Sequence, residues 1–154
     1  MRINIIKPKE LYDQHLMAEI REIKMLPKAL VRSLASKKGV NYKTLNKEYP
    51  RYTLNKGHGK FFYNKITYIE NRFQELLKEA ELRGFTLQSK TKELYDSEYD
   101  YAILEEYRNN PFIDICQEYI PTEAEKVVNK ERIQLRLSEK PYFYKYYGKS
   151  VTID

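Results

Sequence analysis

Disulfides are excluded from the start: the 154 residues hold one cysteine, Cys116, which has no partner within the chain. A lone cysteine fits a reducing compartment, so a cytoplasmic location in a bacterial or virus-infected cell is expected. No run approaches the ~20 apolar residues that cross a bilayer, and no membrane partner is expected. The opening Met1-Arg2-Ile3-Asn4 lacks the apolar stretch of a secretory signal. Histidine is scarce too, with only His15 and His58. His15, Glu19 and Glu22 recur at i, i+4 and i+7 and would share one helix face, but catalytic zinc usually takes three protein ligands and no further His or Cys stands near. A buried, hydrogen-bonded His15 is the plainer expectation. Internal repeats are missing, and strand signals are weak throughout.

What remains is charge and helical periodicity. The net charge is +6, unevenly spread. Residues 1–84 carry 18 cationic and 9 acidic side chains, residues 85–120 carry 3 and 8, and residues 121–154 carry 7 and 5. A basic body with an acidic stretch at about 86–118 points to a polyanion on one face. A solvated surface that happens to be basic would give the same totals.

Leu16, Ile20, Ile23, Leu26 and Leu30 keep helical spacing, so residues 9–36 read as one helix or two collinear pieces, with Pro27 breaking or kinking the run near Leu26. Residues 40–60 show no sustained period and read as a loop. Phe62, Ile66, Ile69, Phe73, Leu76 and Ala80 define a second helix, and Gly84 is placed to close it in the left-handed conformation. Thr122 with Glu125 forms a capping-box pattern after Pro121, opening a third helix that runs through Val128 and Leu135 until Pro141. The fold class expected is all-α: one compact domain over 1–154 with three principal helices and long connecting loops. The acidic, tyrosine-rich stretch 86–118 reads as a tolerated surface insertion, with a short helix starting near Tyr101-Ala102-Ile103-Leu104.

Two blocks carry the functional reading. One is Asp13-Gln14-His15-Leu16-Met17-Ala18-Glu19-Ile20-Arg21-Glu22, preceded by Arg2-Ile3-Asn4; the other is Tyr142-Phe143-Tyr144-Lys145-Tyr146-Tyr147-Gly148-Lys149. Between them stand Gly57-His58 with Phe61-Phe62-Tyr63 and Lys65, then Arg83-Gly84-Phe85, then Tyr119-Ile120-Pro121 with Glu123-Ala124. In this order the blocks resemble the pyrimidine-dimer DNA glycosylases known from bacteriophage, the endonuclease V type, over most of the chain except residues 37–50 and 86–118.

That resemblance implies a DNA repair glycosylase with apurinic/apyrimidinic lyase activity on ultraviolet-induced cyclobutane pyrimidine dimers. It implies double-stranded damaged DNA as partner, a monomer, and no metal or organic cofactor. The family flips out the base opposite the lesion and uses an N-terminal α-amine as nucleophile. Its mature chain starts with threonine before Arg-Ile-Asn. Here Met1 takes that slot, because methionine excision requires a small second residue and Arg2 is bulky. An α-amine titrates about 2.5 units below a lysine, so a useful fraction is neutral at pH 7 and can form an imine. The resemblance gives Glu22 the role of the carboxylate that stabilises positive charge at the sugar and removes the C2′ proton.

For DNA contacts, Asn129, Arg132, Arg136 and Lys140 line a stripe at helical spacing, and Arg2, Arg21, Lys28 and Arg32 form a second cluster. The family has an arginine where Lys28 stands and a tryptophan where Phe143 stands. The resemblance adds Gln14, His15, Phe143, Tyr144, Lys145 and Lys149, aromatic planes among cations that suit unstacked bases. Two alternatives stay open on the sequence: the same chemistry on oxidised or ring-opened bases or on abasic sites only, and a non-catalytic DNA-binding protein.

Overall fold

A computed structural model describes residues 1–36 and 39–151. The described chain is mostly helical: α1 (Asp13–Glu22), α2 (Met25–Ala35), one-turn α3 (Leu45–Glu48) and α4 (His58–Phe61), α5 (Ile66–Leu82), α6 (Glu98–Arg108) and α7 (Glu123–Glu139). The all-α expectation holds. Among the described residues no helix is long and apolar enough to cross a membrane.

The core forms where α1 packs on α5 and α2 on α6, with Leu16, Ile20, Ile69, Phe73 and Leu76 fully buried between them. The first long run divides earlier than Pro27 suggests. The break falls at Ile23-Lys24, and Pro27 sits in the first turn of α2, where a missing N–H costs nothing. Helix α5 starts at Ile66, four residues after the buried Phe62, because the returning chain docks there. Ile66 N–H donates to Ile115 O at 2.8 Å, and Gln117 N–H donates to Asn64 O at 2.8 Å.

Both termini read from the sequence are present. Gly84 has φ +88°, and the amides of Gly84 and Phe85 donate back to Glu81 O and Ala80 O at 2.9 and 3.0 Å, the paired bonds of a Schellman end. Thr122 Oγ1 accepts from Glu125 N–H at 3.1 Å, and Glu125 Oε1 accepts from Thr122 N–H at 3.0 Å.

Helix α7 runs through Val128 and Leu135 and ends before Pro141, as expected; its inner face carries the buried Glu125, Asn129, Ile133 and Leu137, and Val128 and Leu135 are exposed. Two expectations need correction. The acidic stretch is no passive loop: it holds α6, capped by Ser97, and buries Leu94, Leu104 and Ile115 in the main core. The carboxy-terminal aromatic block makes a minimal antiparallel hairpin, β1 (Lys145–Tyr146) with β2 (Lys149–Ser150). Its turn residues Tyr147 and Gly148 both have positive φ, 52° and 78°, as a tight hairpin turn requires.

Candidate active site

The amino-terminal segment runs through the protein interior as neither helix nor strand, and side chains rather than a sheet satisfy its backbone. Ile3, Asn4, Ile5 and Ile6 are all buried, so each N–H and C=O needs a partner. Ile3 N–H donates to His58 Nε2 at 2.8 Å, and Tyr52 Oη–H donates to Ile3 O at 2.7 Å. Asn129 Oδ1 accepts from Ile5 N–H at 2.7 Å and from Ile6 N–H at 3.2 Å. The Asn129 amide donates to Asn4 Oδ1 at 2.7 Å, and Asn4 donates to Glu19 Oε1 at 2.8 Å. Arg72 closes the network, donating through Nε and Nη2 to the two Glu19 oxygens and through Nη1 to Ile6 O. Burial alone would tend to discharge Arg72; the Glu19 carboxylate overrides it and raises the pKa.

His58 is fixed as a neutral ring. Its Nδ1 lies 2.6 Å from Thr53 O, so that nitrogen carries the proton and Nε2 is free to accept from Ile3. Its pKa is lowered, first by burial and then by the positive charges of the α-amine, Arg2 and Arg132, against the opposing Thr53 bond. The terminal amine therefore lies within electrostatic reach of His58. Met1 itself is 41% exposed.

Around that terminus the chain gathers charge. Arg2 is half-buried, and its pKa is lowered by burial, then by Arg136 and Arg132, with Glu22 and Tyr52 pulling the other way. Three guanidinium groups and the Glu22 carboxylate, which ends α1, thus share one locality. Arg132 reaches Asn55 Oδ1 at 3.5 Å and Arg136 pairs with Glu139 at 2.9 Å. Cations crowded against one another at a half-buried surface are poised for an external anion.

The aromatic block supplies the adjoining wall. His15 stacks on Tyr144 with centroids 4.6 Å apart and planes 17° from parallel. Phe143 meets Tyr144 edge-on at 5.1 Å and is itself 51% exposed. Burial pushes the His15 pKa down to about 4, with Arg2 and Arg136 adding to the effect. The expected hydrogen-bonded His15 is not what the structure shows: both ring nitrogens are buried without a hydrogen-bond partner. Gln14, His15, Arg21, Phe85, Phe143 and Tyr144 line a cleft of about 670 Å³.

The hairpin is anchored by α1. Gln14 donates to Phe143 O at 2.7 Å and accepts from Lys145 N–H at 2.9 Å, so its amide is engaged at both ends. Asp13 accepts from the amides of Tyr147 and Gly148 at 3.1 and 2.8 Å. Arg83 pairs with Asp13 at 3.0 Å and lies 4.6 Å from the Tyr147 ring centroid.

The remaining cations divide. Arg21, Lys145 and Lys149 are exposed. Lys28 pairs with Asp96 of the acidic stretch at 2.5 Å, and Lys24 approaches the same carboxylate at 3.5 Å. Arg32 lies apart, in a second cleft with Tyr49, Lys60 and Tyr63. Asn129 is fully buried and leaves the DNA-facing stripe it was assigned by spacing. The anchors Tyr52, His58 and Arg72 left no signal in the spacing, and Asn129 was read in another role; their side chains hold the terminal segment from 49 to 124 residues away.

A basic, aromatic-walled surface beside a pinned terminus suits a nucleic-acid ligand. A model of the pyrimidine dimer DNA glycosylase family matches residues 1–93, well over half of the 154. The chain belongs to that family. It is a DNA repair glycosylase, and damaged DNA is its partner.

Proposed function

We propose that the protein is a combined glycosylase and abasic-site lyase for ultraviolet-induced cyclobutane pyrimidine dimers, with the α-amine of Met1 as nucleophile and Glu22 as its carboxylate partner. The observation that carries the reading is the pinned terminus: buried side chains fix Ile3 to Ile6, while the amine is near enough for its charge to lower the His58 pKa and Arg2 shares its surroundings with Glu22. Such fixing converts a flexible chain end into a pre-oriented nucleophile.

Water is the one co-reactant: it exchanges protons along the path and finally hydrolyses the imine, returning the Met1 amine and leaving an unsaturated aldehyde on the nicked strand. The neutral amine attacks C1′ of the 5′ nucleotide of the dimer, and the glycosidic electron pair leaves with the base, which is protonated. The base stays tethered to its neighbour through the cyclobutane ring. The nitrogen lone pair then expels O4′, opening the sugar and leaving a protonated imine that the Glu22 carboxylate stabilises. Glu22 takes the C2′ proton made acidic by the imine, and the electrons expel the 3′ phosphate, nicking the strand.

Arg2, Arg132 and Arg136 hold the phosphates at the lesion, with Arg21, Lys28, Arg32, Lys145 and Lys149 supporting a salt-sensitive search along undamaged duplex. A dimer weakens stacking, so kinking the duplex and extruding the opposite base costs less there. Phe143, half-exposed, offers its ring to the distorted strand, with Gln14 holding its loop and the buried Tyr144 and His15 packed behind it. The protein acts as a monomer inside the cell.

Borohydride trapping on duplex DNA with one site-specific dimer tests this, with mass mapping of the linked peptide. An adduct on the Met1 amine is expected. An abasic site that traps while the dimer does not would remove the lesion assignment. No adduct on either, with the Met1 amine verified as free, would overturn the chemistry.

A further inference from the structure

Gly59 stands in the one-turn helix α4 directly after His58. Glycine is a poor choice in a helix, because it loses more conformational freedom on folding than alanine does. Its backbone is not in the left-handed region, so conformation does not demand it. The reason lies in what a side chain there would meet. A Cβ on Gly59 would come 2.7 Å from Met1 Cε; chain neighbours and the helix's own backbone aside, no other described heavy atom lies within 4 Å. The space over Gly59 is therefore filled by the end of the Met1 side chain.

We infer that Gly59 is the seat of Met1, a positioning residue that sets which side chain can stand at the terminal position while its amine reacts. The inference rests on Met1 as nucleophile. His58 holds the backbone of residue 3 and Gly59 receives the side chain of residue 1, so two consecutive residues of α4 fix the terminus from both ends. With any larger residue at 59 the thioether arm swings away, since it is flexible and Met1 is already part-exposed. The amine then loses the orientation that the seated arm gave it. A small terminal residue needs no seat and is indifferent to position 59.

The test is a size-complementation cycle using Gly59→Ala, Gly59→Val, Met1→Thr (with a removable methionine ahead of it) and the double variants. Imine trapping is timed on duplex DNA with one abasic site, and melting temperatures are taken in parallel. Gly59→Val is expected to slow trapping on the order of tenfold or more in the Met1 background, with Gly59→Ala affected less and duplex affinity kept. Adding Met1→Thr should recover most of the rate. Equal slowing by Gly59→Val in both backgrounds, or none in either, overturns the seat. If the parent protein forms no adduct, the catalytic reading fails. The seat is then judged by the melting cycle, where strictly additive shifts for positions 1 and 59 would remove it.

Discussion

The amide of Ile3 donates to Nε2 of His58 at 2.8 Å, two residues from the proposed nucleophile. His58→Ala leaves that buried N–H without an acceptor, which costs about 1–3 kcal/mol of stability. The larger expected effect is on chemistry. Imine trapping at an abasic site should slow at least about tenfold, since orientation of the amine is lost. Affinity for undamaged duplex should stay within about twofold, because His58 makes no phosphate contact in this reading. His58→Gln, which can still accept from Ile3, should fall between. Trapping at the parent rate in His58→Ala would separate the terminus from its anchor.

Lys28 and Lys24 share the carboxylate of Asp96. That aspartate belongs to the acidic stretch, so the protein neutralises part of its own basic surface. In the proposed reading Asp96→Asn frees Lys28 for phosphate, while Lys24 keeps its bond to Lys90 O at 2.9 Å. Exposed pairs are worth up to about 1 kcal/mol, so affinity for undamaged duplex should rise by about two- to fivefold. The slope of log affinity against log salt should steepen by about 0.9 for each further phosphate neutralised. Filter-binding titrations between low and moderate salt measure both. An unchanged slope would mean that Lys28 stays off the DNA.

Leu104 of α6 is fully buried, in a core that also holds Leu94 and Ile115. Leu104→Ala should cost about 2–5 kcal/mol in urea unfolding, with lesion incision retained at temperatures where the variant stays folded. A loss below about 1 kcal/mol would return residues 86–118 to the status of a dispensable loop.

Elements of this fold differ in how far the sequence revealed them. The caps at Gly84 and Thr122–Glu125 were legible because each is set by a few adjacent residues. The inner face of α7 was not, since spacing relates Asn129 to Arg132 and Arg136 without saying which side meets the core. Burial of Asn129 depends on the terminal segment, 124 residues away. A strand of two residues is too short to show alternation, so β1 and β2 left no pattern. Glu22, Arg2 and the tyrosine-rich block were named through resemblance, yet His58 and Gly59 acquired their meaning only once Met1 and Ile3 were seen against them.

His15 carries a pH dependence. Burial holds its folded pKa at about 4, below the 6.5 of an unfolded histidine. Above pH 6.5 the ring is neutral in both states and adds no pH dependence. As pH falls from 6.5 toward 4 only the unfolded chain takes up the proton, so stability is lost across that window, by up to about 1.36 kcal/mol per pH unit for one such group. His15→Phe keeps a ring against Tyr144 and should flatten the melting temperature over pH 4–6.5. An unchanged slope would assign acid lability to His58 or to carboxylates instead.

Glu22→Gln separates binding from chemistry. The amide keeps the size and the helix end but cannot bear the negative charge that stabilises the imine, nor take the C2′ proton. Base release and strand nicking at a dimer should fall by several orders of magnitude. Affinity for the same dimer duplex should stay within about threefold, because in the proposed reading Arg2, Arg132 and Arg136, not Glu22, hold the phosphates. Removing an acidic group from this cationic locality should, if anything, strengthen binding at low salt. Single-turnover release measured beside an equilibrium titration checks both. Affinity lost together with activity would make Glu22 an organiser of the arginine cluster, for it already bears on the charge of Arg2. Normal release would move the carboxylate's role to another residue and leave the Met1 amine as the part of the mechanism still to be judged.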